Sequence, residues 1–208
     1  MSDLESVRKA HRTVDRYLVL AQEQGARKGI VPSCRRGCFA CCYEPVYAER
    51  REAALALEAA EALPEEERAE IRERIRTWMD AIKASAILQA KTPHVADYRK
   101  LRLPCPFLKN GECRIYADRP MGCRTHFAVG PREACEDDGR RLGQQFMYVP
   151  DILTGPMFEI LDGPGSLVMD HFGLFLGEIL LGEKVESASR SMLVVRGDQQ
   201  EIFTRGNG

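Results

Sequence analysis

Eight cysteines in two groups constrain this chain more than any other feature. Cys34, Cys38, Cys41 and Cys42 fall within nine residues, written CRRGCFACC, and Cys105, Cys113, Cys123 and Cys135 follow after a long gap. A globular core has no packing reason to crowd four small reactive thiols together, whereas a thiolate is a strong, soft metal ligand. The second group lies in residues 101–138, a stretch of prolines and glycines with little apolar periodicity. Such a segment is ordered by a ligand more readily than by its own apolar surface. The segments between the two groups read as a helical hairpin, so the chain must fold to bring two distant sets of sulfur together.

Spacings of two or three residues let a tight turn aim successive thiolates at one ion. Cys34, Cys38 and Cys41 have those spacings, and Gly37 supplies a turn position that tolerates unusual backbone angles. Adjacent residues of an extended chain face opposite ways. On that geometry Cys41 and Cys42 either serve different metals, or one is a ligand and the other a neighbouring reactive thiol. In the second group, Pro106 after Cys105, Asn110-Gly111 before Cys113 and Gly122 before Cys123 are turn signals that direct backbone amides toward sulfur. A single cysteine is as often a buried small hydrophobe; eight in one chain point to metal. The spacing Cys34-x3-Cys38-x2-Cys41 equals that of radical SAM enzymes. Ala40 stands where those enzymes carry an aromatic residue, however, and no repeating strand–helix pattern follows. His126 is read as a satisfied loop histidine, and no phosphate loop, nucleophile elbow or HExxH is present.

Helical periodicity runs from Leu4 through Val7, Val14 and Leu18 to Ala21, with Ser2 and Glu5 as a capping pair and Gly25 and Gly29 as stops. After Pro45 a second helix, YAERREAALALEAAEAL, ends at Pro64. Pro64 opens a third as its first-turn residue, with the stripe Ile71, Ile75, Trp78, Met79, Ile82 and Ala86, ending at Thr92-Pro93. Trp78 and Met79 are read as core. A short helical turn is expected at Ile115–Asp118. Asp162-Gly163-Pro164 precedes a buried apolar helix reaching about Leu181, and Met192–Val195 suits a short strand. The fold class is therefore mainly α: a small helical domain with a loop-rich, metal-organised cysteine segment. One domain over 1–208 is expected, its cysteine core at 34–135 and a C-terminal helical extension at 162–182.

The net charge of −1 gives no argument for nucleic acid or an acidic membrane. Arg27, Lys28, Arg35 and Arg36 near the first cysteines form either a solvated rim or a cationic surround that depresses thiol pKa values. The charged N-terminus lacks a secretory h-region, and no apolar segment reaches the roughly 20 residues that span a bilayer. The expected location is the cytoplasm, where thiols stay reduced and metal is favoured over disulfide.

Paired with CPFLKNGECRIYADRPMGCR, the motif CRRGCFACC resembles the YkgJ-type cysteine-cluster family, described as zinc- or iron-chelating. The distal half carries most of the likeness: Cys105-Pro106-Phe107-Leu108, Cys113, Ile115-Tyr116, Arg119-Pro120 and Cys123-Arg124. The first gap is one residue longer than in many members, and Cys135 lies outside the shared core. The resemblance implies a metal site, an iron–sulfur cluster or Zn²⁺, with Arg119 and Arg124 compensating thiolate charge; the candidate ligands are Cys34, Cys38, Cys41, Cys42, Cys105, Cys113 and Cys123, with Cys135 added from the cysteine count alone. The all-sulfur donors and a related domain in flagellin lysine methylases favour iron–sulfur. That relationship also implies an alternative, cluster-dependent methyl transfer from SAM to a protein or small molecule. A structural zinc protein that binds a partner is the third reading.

Overall fold

A computed structural model describes residues 3–34, 37–44, 46–89, 100–101, 103–129, 145–146, 166–185, 191–196 and 199–204. Helix α1 (Asp3–Arg27) runs through Gly25, and the chain turns at Gly29 in the left-handed region, φ 74°. Val7, Val14 and Leu18 are buried as their spacing requires. Ser2, expected to cap this helix, lies outside the described residues.

Tyr47–Glu49 is a strand, β1, and α2 (Arg50–Glu61) starts three residues later than its composition suggests. The reason is a capping box: Glu49, in extended backbone, accepts the Arg51 amide, and Glu52 reaches back to the Glu49 amide. Helix α3 (Glu65–Lys83) buries Ile71, Ile75, Met79 and Ile82, with Pro64 as its cap rather than its first helical residue. It stops well short of Thr92-Pro93, which lie outside the described residues, as does His94.

The loop-rich segment contains a two-residue hairpin, β2 (Leu108–Lys109) with β3 (Glu112–Cys113), closed by Asn110 and Gly111 at φ 53° and 77°. A 3-10 turn at Tyr116–Asp118 follows, then a short helix α4 (Met121–Thr125) that the sequence does not signal. Strand β4 (Ala128–Val129) pairs with β5 (Gln145–Phe146).

The C-terminal extension corrects the expected helix. Ser166–His171 is strand β6, and only Phe172–Leu181 is helical, α5. Local propensity loses to pairing on both sides: β6 lies between β1 and β7 (Ser191–Arg196) in the antiparallel order β1-β6-β7-β8, with β8 at Gln199–Thr204. The strand expected at Met192–Val195 is the centre of β7. The chain remains mainly α, with this small sheet at one side.

Helix α5 is buried nearly all round and packs on both α2 and α3. Its glycines allow that approach: a β-carbon at Gly173 would sit 2.7 Å from the Trp78 ring, and one at Gly177 would overlap Met79. The main core joins α2, α3 and α5 to Phe107 and Ile115 of the loop-rich segment. A second core joins Val7, Ala10, Val14 and Leu18 of α1 to Leu55 and Met121.

Candidate metal centre

The two cysteine groups meet. After Gly37, at φ 81°, the chain passes Cys38 and enters a 3-10 turn, Ala40–Tyr43, that carries Cys41 and Cys42. The Cys105 amide donates to the Cys42 carbonyl at 2.7 Å, stitching the distal segment onto this turn. Cys113 is presented by β3 and Cys123 by α4. Cys38, Cys41, Cys42, Cys105, Cys113 and Cys123 line one cavity of about 130 Å³.

Cys34 stands beside this cavity, not on its wall. It is pinned to β4, with its Sγ accepting the Ala128 amide at 3.3 Å and Ser33 bonded to the Ala128 carbonyl at 2.9 Å. Cys135 lies outside the described residues, as do Arg35 and Arg36. The extended backbone assumed for Cys41 and Cys42 does not hold. A 3-10 turn is not an extended chain, and here both residues line the cavity. Among the described residues, no three Cys, His, Asp or Glu side chains are already closed on one ion-holding point. The thiols surround a space.

Protons are held tightly here. Hydrogen bonding to Cys42, followed by burial, raises the Cys41 pKa; burial raises those of Cys34, Cys105, Cys113 and Cys123, and neighbouring thiols add to each. Each thiolate that forms therefore penalises the next, until a cation neutralises them. Arg119 supplies part of that charge. It partly offsets the upward shift at Cys34, Cys113 and Cys123, stacks 3.8 Å over the Tyr116 ring, and keeps a buried Nε–H without a hydrogen-bond partner. Six thiols line the cavity beside Glu44 and His171, and a sulfur-rich set of this kind with Arg119 on its wall suits a thiophilic metal group.

Arg124 does not share the role expected of it. Its guanidinium is used on Asp15 at 2.6 Å, on the Arg119 carbonyl at 2.9 Å and on the Ala117 carbonyl. His126 faces Glu44 at 3.8 Å and does not line the cavity.

Two cavity residues escape a sequence reading. His171, 1% exposed, lines the wall next to Tyr47, whose hydroxyl lies 3.4 Å from Nε2. Burial lowers its pKa to about 4, so the ring is neutral at pH 7. In the sequence it sits within a single apolar run read as helix, which marks burial and no chemistry. Trp78, read as core, stands where core and cavity meet, with Phe107, Phe172 and Leu103 completing an apolar wall.

All seven described cysteines are free thiols, and no described helix is long and apolar enough to cross a membrane. No curated protein and no solved structure matches the chain. A family model does, over residues 33–146, which hold every cysteine and the whole cavity turn. The chain belongs to the CxxCxxCC family, described as a "putative zinc- or iron-chelating domain".

Proposed function

We propose that the two cysteine segments hold a polynuclear, sulfur-ligated metal centre, an iron–sulfur cluster in preference to a single Zn²⁺. The observation that carries this reading is the cavity. A site for one water needs about 10–15 Å³ of such space, and a zinc ion gripped by four thiolates at about 2.3 Å leaves none. Six thiols around about 130 Å³ suit a group of several atoms. Its apolar wall would exclude water, and Arg119 would offset the charge of the thiolates. The free thiols support placement in a reducing compartment.

In this reading Cys41, Cys105, Cys113 and Cys123 hold the group, with Cys38 and Cys42 at its edge. The group itself would supply electron transfer or Lewis acidity. Anaerobic purification, with iron, zinc and acid-labile sulfide measured beside the visible spectrum, tests the proposal. Several irons per chain with matching sulfide and a broad band near the blue end of the spectrum are expected. A colourless protein with one zinc per chain overturns it.

A further inference from the structure

Two polar anchors, one buried and one part-buried, hold the helix that bears Cys123, and both extend to α1. Pro120 precedes α4 and offers no side-chain cap. The cap comes from α2 instead: Glu52, 2% exposed, accepts the Met121 amide at 2.7 Å. The same carboxylate oxygen takes the His11 ring Nε2 at 2.8 Å, and the other accepts the Glu49 amide at 3.0 Å. At the far end of α4, Arg124, 3% exposed, binds Asp15 of α1 and the carbonyls of Ala117 and Arg119.

His11 and Asp15 are four residues apart, hence on one face of α1. Apolar contact of Val7, Ala10, Val14 and Leu18 with Leu55 and Met121 surrounds them. That face therefore holds both ends of the short helix carrying Cys123, and through Arg124 the loop carrying Arg119. Helix α1 precedes the segment that the family model matches, so its description does not cover this arrangement.

We infer that α1 is a retention clamp for the metal centre, with His11, Glu52, Asp15 and Arg124 as its positioning residues. The clamp rests on the metal centre proposed above. A five-residue helix cannot hold its own position; the anchors fix Cys123 against the group, and the group in turn fixes α4 for the anchors. Docking of α1 and occupancy of the centre then stabilise each other by the same factor, since coupling is reciprocal.

The test uses the full chain loaded with metal, with release followed by a chromogenic chelator. Asp15→Asn is expected to speed release several-fold, and His11→Gln with Asp15→Asn tenfold or more. Asp15→Glu, which keeps the carboxylate, should release slowly like the wild type. The Asp15 carboxylate is half exposed, so its amide form leaves a foldable protein even if the double variant fails. Gly177→Ala, on α5 away from α1, controls for lost stability and should release metal more slowly than an Asp15→Asn protein of matched melting temperature. Loading should also slow hydrogen exchange at α1 amides around residues 7–18. Release from Asp15→Asn at the wild-type or control rate, or α1 exchange indifferent to loading, overturns the clamp alone. A wild type that takes up no metal overturns the centre and the clamp together.

Discussion

At Arg119 a single side chain reconciles two distant cysteine segments. Its charge acts on Cys34, Cys113 and Cys123 together, and its Nε–H is buried without a hydrogen-bond partner. Arg119→Met should weaken metal binding by one to two orders of magnitude, measured by competition with a chelator of known affinity, while Arg119→Lys recovers part of it because a point charge remains without the planar donors. Full affinity in the Met variant would remove the charge-compensation role.

His171 gives a pH prediction of definite sign. Its folded pKa of about 4 lies below the unfolded 6.5, so the unfolded state binds the proton first as pH falls. Stability from the neutral ring is whole above pH 6.5, is lost between 6.5 and 4, and amounts to about 3 kcal/mol. Urea midpoints at pH 7.5 and 5 should fall more for the wild type than for His171→Gln. Glu49, whose pKa burial raises, acts with the opposite sign but is common to both proteins. The cysteines stood out from spacing because their chemistry is written in residue type, and Arg119 entered through the family resemblance. His171 and the Glu52–His11 pair did not stand out, since what makes them important is burial against partners over 40 residues away.

Among the elements, α5 lies on α3 with no room for a β-carbon at two of its glycines. Gly173→Ala pushes a methyl into Trp78, and Gly177→Ala pushes one into Met79. Each should cost about 1–3 kcal/mol, as overpacked cores do. Because Trp78 is the sole tryptophan, Gly173→Ala should also shift its emission, whereas Gly177→Ala should not. Equal spectra would mean that α5 slides to relieve the clash. Helical periodicity identified α1 and α3 because their apolar stripes are local facts. It failed at Ser166–His171 and Tyr47–Glu49, whose strand state is set by pairing with each other and, for Ser166–Met169, with β7. Short strands of this kind contain too few residues to declare a period of two.

Taken whole, the molecule joins an α2–α3–α5 core, formed largely by helical side chains, to a loop-rich segment whose buried apolar residues between Leu103 and Ala128 are Pro106, Phe107, Leu108, Ile115, Pro120, Met121 and Ala128. Apparent binding energies of thiolate-held structural metal, about 10–16 kcal/mol, match or exceed a domain's whole stability of about 5–15. Chelation should therefore leave most helical far-UV dichroism in place while amides of 103–129 lose exchange protection. A cooperative loss of both would show that the helical core does not stand without the centre.

The hydrogen bond from Cys105 to Cys42 has a consequence for biosynthesis. The two residues it joins are separated by roughly sixty others, which a ribosome adds in about 3–12 s at ordinary rates. Throughout that interval the nascent chain displays its first four thiols with their partners not yet made. An ion captured then would be held by an incomplete set and by no wall. Delivery after synthesis, to a finished pocket with both halves joined, is the route this topology favours.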